Sequence, residues 1–218
     1  MEPRFWHERW RTGQIGFHQS SADRNLRRHW ATLRLARGSR VFVPLCGKSL
    51  DLLWLRDQGH PVVGVELSAI ALEAFCMENG VPARRRVQGG FDVYEAPNLQ
   101  LFCGDYFALT PAVLGDVAAA YDRAALISWA QELRAPYVEH MAALLGSGTQ
   151  ILLVAMEYPQ QQMSGPPFCV QSEEVERLYS PCFKIYEIAR HDILASEPRL
   201  RARGATELFE VCYHLVRV

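Results

Sequence analysis

Two features of this sequence could do chemistry together: a short turn, Gly47-Lys48-Ser49, and an acid, Glu66, nineteen residues after the glycine. A glycine-lysine-serine turn invites phosphate, because backbone amides and a lysine can cradle it. The phosphate-loop spacing places another glycine five positions before the first, and Phe42 stands there instead. A dinucleotide needs several glycines at a helix start so that backbone can approach the pyrophosphate. This turn has one, preceded by Pro44, Leu45 and Cys46. A carboxylate ending a strand can accept hydrogen bonds from ribose hydroxyls. The combination points to an adenosine without phosphates, of which S-adenosylmethionine is the common form. The plainer alternative is an exposed strand-end acid beside an ordinary loop.

Other residues could serve such a ligand. Asp105-Tyr106 pairs an acceptor for an adenine amino group with an apolar face, or is simply an acid-bearing turn. Trp6 and Trp10 share one helix side and could be core or a ligand platform. His18 could accept a proton or be structural. Asp122-Arg123-Ala124-Ala125 follows an apolar run; enzymes that methylate base or glutamine amino groups carry Asn/Asp-Pro-Pro-aromatic at that place. The one Pro-Pro-Phe, residues 166–168, comes later, which speaks against nucleic-acid methylation. Arg199, Arg201 and Arg203 form a second arginine group.

Elements that would position these groups can be read from pattern. Val41–Leu45 is a strand, Leu50–Arg56 a helix stopped by Gly59, and Val62–Val65 a second strand ending at Glu66: a minimal βαβ unit, requiring parallel pairing and a right-handed crossover. Residues 3–12 predict a helix closed by Gly13, 25–36 an amphipathic helix, and 69–78 a helix stopped at Asn79-Gly80. Arg84-Arg85-Arg86 reads as an exposed loop and Gly89-Gly90 as a turn. Strands follow at 99–103, 117–121 and 150–156, with a helix at 134–145. Residues 157–170, rich in Pro, Gly and Gln, are long enough for a mobile lid. Ser172 opens a helix in capping-box fashion with Glu174 in its first turn. Runs 183–189 and 208–216 alternate as strands at an antiparallel end of the sheet.

The segments Pro44-Leu45-Cys46-Gly47-Lys48-Ser49, Gly59-His60 and Val63-Gly64-Val65-Glu66 resemble the signature of the thiopurine S-methyltransferases, bacterial type. Phe17-His18-Gln19, Gly165-Pro166-Pro167-Phe168 and Leu208-Phe209-Glu210 extend the resemblance over nearly the whole chain. It implies one class I methyltransferase domain over residues 1–218. The fold would be Rossmann-like α/β: a mostly parallel central sheet with an antiparallel C-terminal strand and helices on both faces. Residues 1–38 would form a helical lid, and 157–170 an acceptor-side loop. S-adenosylmethionine is the implied cofactor, with Trp6, Trp10, Leu45, Glu66, Asp105, Tyr106 and Arg123 as its neighbours. Phe17, belonging to lid or acceptor pocket, joins His18 and Arg199 on the acceptor side. Arg123 and Arg199 would be the catalytic pair, though a small shift would bring Arg201 or Arg203 to the second place. The implied acceptor is the sulfur of an aromatic thiol such as a thiopurine, or a selenium or tellurium species.

Length and composition agree with one domain: 218 residues carry a net charge of −1, giving no general pull towards nucleic acid or membrane. Charge is uneven, since residues 1–40 hold nine arginines against Glu2, Glu8 and Asp23. That excess makes a solvated face or attracts an anionic substrate. Six scattered cysteines without a C-x-x-C pair, and histidines without ligand spacing, indicate reduced thiols and no metal, as expected in the cytoplasm. Met1-Glu2-Pro3-Arg4 lacks a signal-peptide core, and a monomer is expected. Two rival readings are an NAD-dependent oxidoreductase, disfavoured by the single glycine and the missing Tyr-x-x-x-Lys, and a non-catalytic adenosine-binding module.

Overall fold

The computed structural model describes residues 3–218; Met1 and Glu2, part of the expected charged N-terminus, lie outside the described residues. The chain divides into two compact units, Met1–Tyr121 and Asp122–Val218.

The first unit opens with helix α1, Pro3–Arg11, which buries Trp10; Gly13, in the left-handed region, follows it. Helix α2, Arg24–His29, is capped by the Asp23 carboxylate, which accepts from the Asn25 and Leu26 amides. The amphipathic helix expected over 25–36 is shorter. At Trp30 it tightens to a 3₁₀ turn ending at Leu33, and Arg34 adopts a left-handed conformation with φ 49°. The tightening lets Trp30 turn inward, where its indole N–H donates to His60 Nε2 at 3.2 Å.

Strand β1, Val41–Val43, helix α3, Asp51–Asp57, and strand β2, Val62–Glu66, form the expected βαβ unit. Both strands are buried along their whole length, as parallel strands covered on both faces must be. Helix α4, Ala69–Glu78, buries Ala71, Leu72 and Phe75. The arginine run expected as a loop is instead a strand: β3, Arg84–Gln88, pairs antiparallel with β4, Phe91–Ala96, across a two-residue turn. Gly89 and Gly90 both have positive φ (57° and 85°), as such tight hairpins favour. β3 is an edge strand, so both faces of its outer residues meet water and the alternation that marks a half-buried strand is lost. Its charges find partners next door: Arg85 reaches Glu73 at 3.3 Å and Arg86 reaches Glu95 at 2.8 Å.

Strand β5, Leu99–Cys103, short helix α5, Pro111–Leu114, and strand β6, Ala119–Arg123, complete this part. The strand order is β3-β4-β5-β2-β1-β6, with β5, β2, β1 and β6 parallel. The chain moves outward from β1 to β2, makes the β3–β4 hairpin at the far edge, comes back to β5 beside β2, and then crosses to β1's other side. Order therefore reverses at β1, the place where open α/β sheets bind ligands beyond their carboxyl ends.

The second unit holds helix α6, Gln131–Leu144, strand β7, Gln150–Glu157, helix α7, Ser172–Tyr179, strand β8, Phe183–Asp192, short helix α8, Pro198–Ala202, and strand β9, Phe209–Arg217. β9 lies between β7 and β8, antiparallel to both. The expected capping box at Ser172 does not form. Its hydroxyl goes to Glu157 Oε1 at 2.7 Å and meets the Tyr213 hydroxyl at 2.8 Å. Among the described residues no helix is long and apolar enough to cross a membrane.

Candidate functional site

In the first unit, the parallel register brings Glu66 beside Cys103 and Gly64 beside Leu101, so the β2 and β5 ends open on one edge. Glu66 is nearly buried, 6% exposed. One carboxylate oxygen accepts the Gly47 amide at 2.9 Å and the other the Ser68 amide at 2.8 Å. Burial pushes its pKa up to about 7, and these backbone donors only partly oppose the desolvation. The loop amide that could greet a phosphate is thus already bonded to a carboxylate, which would also repel one. The Leu67 amide adds a third backbone donor, and the four lone-pair sites of a carboxylate still leave room for a hydroxyl donor. The adjacent Ser68 hydroxyl is fully buried without a hydrogen-bond partner.

The loop itself is shaped by two left-handed residues, Leu45 at φ 45° and Gly47 at φ 52°. For leucine that conformation costs about 1–2 kcal/mol, and such residues gather at ligand sites. A side chain at Gly47 would begin 3.0 Å from Trp10, so the indole lies directly against this loop. Phe17 presents edge-to-face contacts to both Trp6 (5.8 Å) and Trp10 (5.6 Å). The structure therefore gathers Trp6, Trp10 and Phe17 into one aromatic group, with Trp10 buried and the other two half-buried. Aromatic faces of this kind suit a sulfonium cation. His18 is half-buried, its amide closing a turn onto the Ile15 carbonyl at 2.8 Å.

Asp105 follows β5, exposed, and its carboxylate accepts the Phe107 amide at 3.0 Å. Tyr106 is 2% exposed and points into the core, whereas Phe107, 38% exposed, offers the open ring at this strand end. Sequence reading passed over Phe107 because the acid-aromatic pair before it already satisfied the pattern. Lys48, the other conspicuous member of the turn, reaches Glu78 at 2.7 Å.

In the second unit, Asp122 is fully buried, accepting from the Tyr137 hydroxyl at 2.7 Å and the Leu126 amide at 3.1 Å. Burial raises its pKa to about 6. Its work is to shape the turn after β6, where half-buried Arg123 is followed by Ala124 at φ 64°. Loop 157–170 is stitched rather than open. The Tyr158 hydroxyl donates to the Pro167 carbonyl at 2.6 Å, and the Gln160 amide group donates to Met163 O and accepts from Cys169 N. The Phe168 amide donates to Ile127 O at 2.8 Å. Arg134, 2% exposed, sits over the Phe168 ring and binds Glu174 at 2.5 Å. No sequence pattern had singled out Arg134. Of the three α8-region arginines, Arg199 and Arg201 are exposed, and Arg203 donates to the Pro166 carbonyl at 3.1 Å. Among the described residues no His/Cys/Asp/Glu group could hold a metal ion.

Comparison with known proteins bears on this arrangement. The family profile described as thiopurine S-methyltransferase matches residues 1–218. The thiopurine S-methyltransferase of Nitrosospira multiformis is 45% identical over 216 residues, 99% of this chain and 98% of that protein. That of Methylococcus capsulatus is 46% identical, covering 99% and 97%. A Thiobacillus denitrificans S-adenosylmethionine-dependent methyltransferase, solved with S-adenosylhomocysteine, superposes with a TM-score of 0.64 at 17% identity, covering 100% of this chain and 99% of its own. That last likeness speaks for the fold.

Proposed function

The chain belongs to the thiopurine S-methyltransferase family and is an S-adenosylmethionine-dependent methyltransferase, and from that premise we propose that its acceptor is the sulfur of an aromatic or heterocyclic thiol, thiopurines included. Selenium and tellurium species, nucleophiles of the same softness, belong to the same proposal. The observation that carries the cofactor side is the Glu66 carboxylate, fixed by the Gly47 and Ser68 amides with lone pairs to spare.

When bound, S-adenosylmethionine supplies a methyl group on a cationic sulfur. Glu66 would accept hydrogen bonds from the ribose hydroxyls, Leu45 would line the same loop, and Asp105, with the open Phe107 ring beside it and Tyr106 packed behind, would attend the adenine. Trp6 and Trp10 keep water off the reacting centre, and Phe17 and His18 face the acceptor. Arg123 and Arg199 hold the acceptor as its anion; being permanently charged, neither can take the proton. Their contribution is electrostatic and directional, favouring the ionised thiol. With the thiol proton already lost to solvent, the acceptor's new sulfur–methyl bond would form as the sulfonium's own methyl bond breaks; the opposite charges would cancel, so a dry aromatic surround would not oppose the transfer. Orientation then accounts for most of the acceleration, up to about 7–11 kcal/mol in favourable cases. All six cysteines remain thiols, which supports a reducing, cytoplasmic setting.

The test is methyl transfer from tritiated cofactor to a panel of thiols, selenols and metalloid oxyanions. Transfer to aromatic thiols with high kcat/KM upholds the reading. Transfer confined to amine or hydroxyl acceptors overturns it.

A further inference from the structure

Between the aromatic N-terminal segment and the Cys46–Ser49 loop runs a buried chain of polar contacts that the chemistry above does not use. Asp51, the first residue of α3, is 2% exposed and has no part in holding a ribose or an acceptor. Its Oδ1 accepts the Asp23 backbone amide at 2.7 Å, across twenty-eight residues. Its Oδ2 accepts the Ser49 hydroxyl at 2.9 Å, and the Asp51 amide donates back to that hydroxyl at 3.2 Å. Asp23 is 1% exposed and caps α2, while the Gln19 side-chain amide reaches its Oδ2 at 3.4 Å. One carboxylate therefore ties the segment that carries Phe17 to the turn that carries Gly47.

A buried carboxylate is costly unless it is well satisfied, and here each oxygen is spent on a different piece of chain. An acid in a helix's first turn would normally serve that helix alone. This one serves an element from far earlier in the sequence. Trp10 makes the second joint between the same two pieces, lying on the face of Gly47 that no side chain may occupy.

We propose that Asp51 is the positioning residue of the cofactor site, holding the N-terminal aromatic segment down on the Gly47 loop so that Trp6 and Trp10 cover the bound cofactor. The proposal rests on the reading that these tryptophans lie over the cofactor. Removing the Asp51 carboxylate frees the segment to lift, and the cofactor leaves faster. The acceptor, judged at saturating cofactor, is unaffected.

The experiment is a double-mutant cycle with Asp51→Ala and Trp6→Ala, read by calorimetric affinity for S-adenosylhomocysteine and its dissociation rate. Asp51→Ala is expected to raise Kd by about tenfold or more, the value of one charged hydrogen bond, through a faster off-rate. Asp51→Asn, which keeps an acceptor for the Asp23 amide, should restore most of it. With Trp6 already removed, Asp51→Ala should cost clearly less, because both act through the same cover. Additive losses, or an unchanged Kd in Asp51→Ala, overturn the proposal while leaving the tryptophan reading intact. An unchanged Kd in Trp6→Ala overturns the tryptophan reading, and the proposal falls with it. Should Asp51→Ala fail to fold, Ser49→Ala, which removes only the hydroxyl link, carries the same comparison.

Discussion

The Gly47 amide donates to the Glu66 carboxylate at 2.9 Å, joining the loop after β1 to the end of β2. This bond explains why a turn spelled Gly-Lys-Ser is a poor phosphate cradle: its key donor is already committed to an acid. With the Ser68 amide on the other oxygen, it fixes the carboxylate at both ends.

Glu66→Ala should raise the cofactor Kd at least about tenfold, since two hydrogen bonds to a charged acceptor are lost. It should also lower stability, because the Gly47 and Ser68 amides lose their partner, at about 1–3 kcal/mol for each left buried and unpaired. Calorimetry and a thermal melt on the same preparation check both halves. Unchanged affinity sinks the ribose assignment.

The same group sets a pH dependence. The Glu66 pKa is raised from an ordinary 4.5 to about 7, so between those values the folded chain keeps a proton that the unfolded chain has lost. Stability from this group is therefore full below pH 4.5, falls as pH rises through the window, and levels off above about 7. Asp122, raised from 3.8 to about 6, adds a loss of the same sign at lower pH. Cofactor affinity runs the other way, because ribose hydroxyls donate best to the ionised form, and should tighten from pH 6 to 8. Titrations across that range with wild type and Glu66→Gln would show the slope in the former only.

Arg123→Ala should lower kcat/KM for thiols by about 1.5–3 kcal/mol, the range for hydrogen bonds to charged groups. Cofactor affinity should fall less. Steady-state kinetics on an aromatic thiol decides it, and wild-type values would remove Arg123 from the mechanism.

Arg134, buried at 2% exposure, pairs with the part-buried Glu174, 13% exposed, which Arg177 also reaches at 3.4 Å. Removing Glu174, which strands the buried guanidinium, should cost up to about 3–5 kcal/mol and removing Arg134 clearly less, whereas replacing both with apolar residues of similar volume should recover most of the larger loss. Denaturant unfolding of Arg134→Met, Glu174→Leu and the double variant measures the contrast.

Tyr158→Phe deletes a donor to Pro167 O without changing shape. It should cost about 0.5–1.5 kcal/mol and raise the acceptor KM while leaving the cofactor Kd alone. A shift in Kd with KM unmoved would detach loop 157–170 from the acceptor.

The central strands were legible because burial on both faces writes continuous apolar runs, as in Val62–Val65, and Glu66 stood out as the acid that ends one. The β3–β4 hairpin was not. Three arginines on an edge strand leave no alternation to read, and Asp92 and Glu95 break up β4. Residues 157–170 read as a mobile lid from their Pro, Gly and Gln content, yet Tyr158 and Gln160 close the loop on itself through contacts that depend on three-dimensional placement. Ser172 carried a helix-start signal, but its hydroxyl turned to Glu157 and Tyr213, a choice made by neighbours far along the chain. Arg134 and Asp51 were invisible for the same reason: their partners are distant in sequence.

The arginine row on β3 has a further effect. A foreign strand trying to extend the sheet at that border would have to displace or bury guanidinium groups, two of them already held by Glu73 and Glu95, and another copy of the same strand would bring three more. Sheet borders that are flat and greasy recruit strangers; this one repels its own kind. A chain with Val87 bare to water at 73% exposure thus gains protection against templated accretion from three residues that take no part in methyl transfer.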